Sequence, residues 1–166
     1  MAKPFTTQEL LNFIRERFFY DELTGFLYRN GHIKNSYRCN LRSGTLKATG
    51  YRHVTINGKE YLEHRIIWLY VHGELPNVID HIDGNTCNNK LSNLRNVNYT
   101  VNMQNRRAPN KHNKSGYLGV SKVGSRWKAT IVKDRKSIYL GAFDSPEIAY
   151  NAYLTAKRIA HEGCSI

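Results

Sequence analysis

Residues Val78–Arg107 read V-I-D-H-I-D-G-N-T-C-N-N-K-L-S-N-L-R-N-V-N-Y-T-V-N-M-Q-N-R-R, and this stretch orders the rest of the chain. Val78-Ile79 is a short apolar run that delivers Asp80 and His81 to opposite faces of an extended strand. Asp83-Gly84 signals a turn, because Gly tolerates positive φ and Asp bonds its own backbone. An Asn-rich loop follows, then Leu94-Arg95-Asn96-Val97 as a second short strand. Asn98 is the expected N-cap of a helix carrying Asn102, Asn105 and Arg106 on one face, at spacings of three and four. Strand, loop, strand and helix follow in that order, with polar groups able to converge where a strand ends.

The ordered set D-H-x-D-G-N, N-N-x-x-S-N-L-R and N-x-x-N-R closely resembles the HNH motif of phage and intron-type endonucleases, the ββα-metal fold. The match runs over about thirty residues with its spacing intact. The preceding His64–Pro76, H-R-I-I-W-L-Y-V-H-G-E-L-P, is similar to the segment leading into that motif in phage HNH proteins.

The chain has 166 residues, enough for one ordinary domain or two small ones, and 40% of them are apolar. The net charge of +12 makes an acidic polymer the natural partner. A membrane is not expected, since the longest apolar run, Ile66–Val71, is far too short to span one. The N-terminal segment offers no leader-like apolar core, so a cytoplasmic location is expected, the host cytosol if a phage encodes the chain. Cys39, Cys87 and Cys164 form no C-x-x-C pair, so neither a disulfide framework nor a structural zinc is expected.

Between Asp83 and Asp134 the chain has no acidic residue. The same span holds Lys90, Arg95, Arg106, Arg107, Lys111, Lys114, Lys122, Arg126, Lys128 and Lys133. A continuous phosphate-facing surface accounts for that better than chance composition.

Upstream, Thr6-Thr7-Gln8-Glu9 reads as a capped helix start, the helix running to about Phe18. Phe18–Tyr20 and Phe26–Tyr28 read as a hairpin, and residues 29–43, with Arg29, Lys34, Arg38 and Arg42, as a polar basic loop. Asn57-Gly58 between Tyr51–Ile56 and Tyr61-Leu62 is a two-residue hairpin signal. Glu63–His72 turns helical and Gly73 and Pro76 stop it. His64, at its head, is expected to be a hydrogen-bonded structural histidine.

Ala108–Ser115 reads as a polar linker, and a second module follows. Its strand-like runs are Tyr117–Ser121, Arg126–Val132 and Lys136–Phe143. In the second run Trp127, Ala129 and Ile131 share one face and Arg126, Lys128 and Thr130 the other. In the third, Ile138 and Leu140 fall on one side. Ser145 and Pro146 open a helix with the apolar stripe Ile148, Ala149, Ala152, Tyr153, Ala156, Ile159 and Ala160, which Gly163 is expected to end. Tyr117-x-Gly119-Val120, Trp127-x-Ala129-x-Ile131, Leu140-Gly141-x-Phe143 and the A-Y-x-A-Y-x-x-A helix resemble the AP-two/ERF DNA-binding domain. That family lays the open face of its sheet in the major groove. By position this implies Lys122, Arg126, Lys128, Thr130 and Tyr139 as contacts. Leu118 stands where the family usually has Arg, which weakens guanine reading by bidentate Arg.

The expected fold is therefore α+β: a ββα-metal HNH module followed by a small three-stranded antiparallel sheet plus helix. Its segments are 1–62 (helix and hairpins), 63–108 (HNH core), 109–115 (linker) and 116–166 (AP-two/ERF-like). The resemblance implies His81 as general base, Asn93 as the residue orienting the His81 segment, and Asp80 and Asn102 as metal ligands. Their oxygens suit one divalent Mg²⁺ or Mn²⁺. Arg95, Arg106, Arg107, Lys111 and Lys114 are candidates to hold phosphates. The implied activity is hydrolysis of phosphodiester bonds in double-stranded DNA by a homing-type endonuclease, nicking as a monomer or cutting both strands as a homodimer. The rival is a DNA-binding regulator whose HNH half is a silent scaffold.

Overall fold

In the computed structural model residues 4–30, 42–161 and 164 are described, and they form two compact units, residues 1–98 and 99–166. Of the basic loop expected over 29–43, Lys34 and Arg38 lie outside the described residues, as does the expected stop Gly163. No helix among the described residues is long and apolar enough to cross a membrane.

The first unit opens with α1 (Thr7–Arg17). Thr6 and Glu9 cap it reciprocally, the Glu9 amide donating to Thr6 Oγ1 at 3.2 Å and the Thr6 amide to Glu9 Oε2 at 2.7 Å. Leu10, Leu11 and Ile14, three and four residues apart, turn one face inward. Strands β1 (Phe18–Asp21) and β2 (Phe26–Arg29) form the expected hairpin. A second sheet has the order β3 (Thr45–Leu46), β4 (Arg52–Ile56), β5 (Lys59–Leu62). Asn57 and Gly58 both take positive φ, 49° and 76°, the geometry whose twist matches an antiparallel pair. The edge strand β3 had no signal in the sequence, being two exposed residues long.

Helix α2 (Glu63–His72) leaves β5 without a break. It buries Ile66, Ile67 and Leu69 in a core shared with Leu10, Leu11, Ile14, Phe18, Leu27, Val54, Ile56, Ile79 and Leu94. Arg65 of α2 donates to the carbonyls of Pro76 (2.8 Å) and Asn77 (3.2 Å), which aims the chain into β6 (Val78–His81). A 3-10 turn at Leu91–Asn93 returns the chain as β7 (Leu94–Val97), antiparallel to β6, with Asp80 opposite Arg95 and His81 opposite Leu94.

The second unit begins with α3 (Tyr99–Gln104). This helix is shorter than expected: Asn105 closes its last turn, and Arg106 lies beyond it, bonded to the Ala108 carbonyl and to Asn110 Oδ1. The segment expected as a linker is tied down, because Asn113 donates to the carbonyls of Tyr117 and Val120. The sheet has the order β10 (Lys136–Phe143), β9 (Arg126–Lys133), β8 (Val120–Val123). Strand β8 starts three residues later than expected. Gly119 has φ of +74°, and a Cβ there would sit 2.1 Å from the Tyr153 ring, so the chain turns at this point rather than extending.

Strand β10 carries a bulge between Tyr139 and Gly141. Leu140 is the extra residue, and beyond it Gly141 and Phe143, opposite Ala129 and Trp127, take the inward face. Helix α4 (Pro146–Ala160) is capped by Ser145 as expected. Its buried stripe differs: Ala149, Tyr153 and Lys157 turn inward, while Ile148 and Ile159 are exposed. Residues 149, 153 and 157 are each four apart and so share a face, which the two isoleucines miss. Lys157 is accommodated there because its ammonium donates to the Arg106 carbonyl.

Candidate active site

Asp80 and His81 end β6 with their side chains buried, 6% and 4% exposed. Asp80 is held across the strand pair, Arg95 donating to its Oδ2 through Nε at 2.8 Å and Nη2 at 2.7 Å. Arg95, expected to hold a phosphate, is thus placed on the carboxylate beside His81. His81 Nε2 lies 3.0 Å from Asn89 Oδ1. Its ring meets the His64 ring edge to face, centroids 5.1 Å apart, with the Tyr51 ring 6.2 Å away.

His64 differs from expectation. Its contacts are aromatic, with Tyr51 at 5.5 Å and with His81, and its ring makes no hydrogen bond to a described residue. Burial first, then the neighbouring His81, depresses its pKa to about 3, so it is neutral.

The loop from 82 to 93 is built from side-chain amides and one carboxylate. Asn93 Nδ2 donates to Asp83 Oδ1 (2.9 Å) and to the Asn88 carbonyl (2.8 Å), and its Oδ1 accepts from the Asp83 amide (2.9 Å). The Ile82 amide donates to the Asn93 carbonyl at 2.8 Å, so the residue after His81 is tied to the same side of the loop. Asp83 also accepts from the Asn85 amide and from Asn88 Nδ2, both at 2.7 Å. Burial raises the Asp83 pKa, but these donors outweigh it and leave the pKa lowered.

Three groups that the sequence does not single out complete the surroundings. Asn89, 1% exposed, donates from Nδ2 to Glu63 Oε2 at 3.0 Å. Glu63 is fully buried at the first turn of α2, with Arg52 Nε 3.1 Å from the same oxygen. Tyr20 of β1 accepts from the Leu91 amide and donates to the Asn89 carbonyl, both at 3.1 Å. A carboxylate directly preceding a buried histidine at the head of an apolar helix was the available signal for Glu63. Asn89 stands in the quoted N-N pair, but nothing local separates it from Asn88.

Asn102 lies on α3 in the second unit, with Arg106, Arg107, Lys111 and Lys114. In that unit's sheet, Arg126, Lys128 and Thr130 alternate with the buried Ala129 and Ile131, and Tyr139 is opposite Thr130. Lys122 departs from the expected set. It pairs with Trp127, its ammonium 5.5 Å from that ring, and so falls on the face of Trp127, while Ser121 stands opposite Lys128. Arg126 is in an exposed ion pair with Asp144 at 3.3 Å.

A relative, "Protein 3.8" of Escherichia phage T7, is 33% identical over 100 residues, covering 58% of this chain and 82% of that protein. The chain belongs to one family with that phage protein. Residues 61–104, from the end of β5 through α3, match the family model described as HNH endonuclease. This stretch holds Glu63, His64, Asp80, His81, Asn89, Asn93 and Asn102. No solved structure matches the chain.

The HNH family implies a divalent metal. No group of three His, Cys, Asp or Glu suited to an ion occurs among the described residues. A hard cation that keeps several waters needs less: one carboxylate plus an amide or phosphate oxygen suffices. Asp80 supplies a carboxylate at the end of β6, with Arg95 on its Oδ2. The donor chemistry fits Mg²⁺ or Mn²⁺ and not a soft ion.

Proposed function

We propose that this chain is a metal-dependent DNA endonuclease of the HNH type, hydrolysing phosphodiester bonds in double-stranded DNA. The observation that carries the reading is the buried Asp80–His81 pair at the end of β6, its ring held by Asn89, inside the segment that matches the HNH family. Asp80 and, by its place in the motif, Asn102 would hold the ion. Bound there, a divalent cation supplies positive charge where the phosphorus centre gathers negative charge. His81 takes the proton of the attacking water, and Asn93 holds the loop that returns past it. The scissile phosphate is neutralised further by the cationic stretch that follows.

The second unit holds the duplex. Lys128, Thr130 and Tyr139 on the open face of its sheet, with Arg126 at the strand's start, are its contacts, in the manner of the AP-two/ERF family its sequence resembles. Lys111 and Lys114, both exposed, add phosphate contacts ahead of that sheet. A homing role is the biological setting this architecture suits.

One observation favours the rival, a DNA-binding protein with a silent HNH half: Asp80 already answers a guanidinium. Cleavage of supercoiled plasmid by wild type and His81→Ala, with Mg²⁺, with Mn²⁺ and with chelator, separates the two. Metal-dependent conversion to open circle or linear DNA, lost in the variant, establishes the nuclease and shows nick against break. Tight duplex binding with no cleavage under any of these conditions establishes the rival.

A further inference from the structure

We propose that Glu63 and Asn89 are a positioning pair that fixes the tautomer and orientation of His81, with the ring hydrogen held on Nε2. This rests on the reading of His81 as the base. The side-chain amide of Asn89 has one donating end and one accepting end. Its Nδ2 faces Glu63 Oε2 at 3.0 Å. A carboxylate can only accept, so the amide cannot be turned round without setting oxygen against oxygen in a dry interior. Oδ1 therefore faces His81 Nε2, at 3.0 Å. An amide oxygen can only accept as well, so Nε2 carries the hydrogen and the lone pair is on Nδ1.

The chain of constraint reaches further back. Glu63 stands in the first turn of α2, where unpaired backbone N–H groups favour an anion. Burial is the largest influence and leaves its carboxyl pKa raised, although the charges of Arg52 and Arg42 and the Asn89 hydrogen bond oppose it. The oxygen facing Asn89 is the one that also faces Arg52 Nε, a donor at 3.1 Å, so that oxygen accepts. Arg52 is itself fixed, donating through Nη2 to the carbonyls of Ser43 (3.2 Å) and Gly44 (2.6 Å). The backbone of Asn89 is pinned by the Tyr20 hydroxyl. Segments far apart in sequence thus converge on one ring nitrogen. Neither Glu63 nor Asn89 touches the reacting atoms in this scheme. They act through the imidazole.

The test uses the full chain labelled with ¹⁵N-histidine, and long-range ¹H–¹⁵N correlation at about pH 8, where an ordinary imidazole is neutral, without metal. Wild type is expected to show His81 as a single Nε2–H tautomer. Asn89→Ala is expected to populate both tautomers and to lower kcat by about 10- to 100-fold, no more than the lower end of what a general base contributes, with DNA affinity unchanged. Asn89→Asp sets two carboxylates together and is expected to lose activity at that pH. Glu63→Gln combined with Asn89→Asp reverses donor and acceptor: the new amide at position 63 donates, and the new carboxylate at position 89 still accepts from Nε2–H. This double variant is expected to recover the wild-type tautomer and most of the activity. An Nδ1–H tautomer in wild type overturns the proposal. So does full activity in Asn89→Ala, or a double variant no better than Asn89→Asp. Should Asn89→Ala fail to fold, the comparison of Asn89→Asp with the double variant decides. A wild type that cuts no DNA with either metal instead defeats the nuclease reading, and the wild-type spectrum still decides the tautomer.

Discussion

His64 and His81 meet edge to face, their ring planes at 90° and their centroids 5.1 Å apart, inside a site that admits almost no solvent to either. Two imidazolium ions cannot share that space. The depressed pKa of His64, about 3, follows from burial first and from the proximity of His81 second.

Acid sensitivity of folding follows. An unfolded histidine takes up a proton near its ordinary value of about 6.5, whereas folded His64 does so at about 3. Between those values the unfolded chain binds more protons, so stability falls as pH falls, by up to about 1.4 kcal/mol per pH unit from this residue. Urea midpoints measured from neutral pH down through that window check it. His64→Phe, which keeps an aromatic ring against Tyr51, is expected to flatten the decline. A variant that loses stability as steeply as wild type would remove His64 as the cause.

Arg95 and Asp80 give a second expectation. Asp80 is 7% exposed as a side chain, so Arg95→Met takes the guanidinium away from a buried carboxylate. The expected loss is about 3 kcal/mol, the lower end for breaking a buried pair, because Arg95 itself is 28% exposed. Adding Mg²⁺ is expected to return more stability to Arg95→Met than to wild type, since the ion supplies the missing positive charge. Chemical denaturation with and without Mg²⁺ reads both effects, and equal Mg²⁺ responses would count against Asp80 as a ligand.

Asn93→Ala removes three hydrogen bonds that close the loop on Asp83 and Asn88. At about 1 kcal/mol for each bond, and more where the Asp83 amide is orphaned, a loss of about 3 kcal/mol is expected. Limited proteolysis is expected to cut first between residues 83 and 92, before the sheet and helix of the second unit. Protection equal to wild type would show that Asn93 does not hold the loop.

What could be read in the sequence was what is decided locally. The Thr6–Glu9 capping box, the Asn57-Gly58 turn and the bounds of α2 each depend on residues within a few positions of one another, and each was placed as found. The β6–β7 pair was legible because the motif fixes its spacing. What escaped was tertiary. Asn89 and Glu63 are 26 residues apart, and the Asn-rich loop gave no sign which amide would turn inward. The bulge at Leu140 shifts the alternation of β10 by one residue, which composition does not announce. A lysine took the inward place on α4 because a carbonyl was there to receive it, and hydropathy ranks Ile159 above Lys157 for that place.

The sheet register of the second unit makes the DNA interface testable one lysine at a time. Lys128 lies on the side of β9 away from Ala129 and Ile131, alongside Thr130 and Tyr139, whereas Lys122 pairs with Trp127 on the opposite side. If the open face holds phosphates, each cation there releases counterions on binding. The slope of log affinity against log salt then falls by about 0.9 for each phosphate no longer neutralised. Lys128→Ala is therefore expected to reduce the slope by about one and to weaken binding to all duplex sequences alike. Lys122→Ala is expected to leave the slope unchanged, its ammonium being held at 5.5 Å from the Trp127 ring rather than toward that face. Fluorescence anisotropy of a labelled duplex over a salt series measures both. Equal slopes in wild type and Lys128→Ala, or a reduced slope in Lys122→Ala alone, would move the interface to the other side of the sheet.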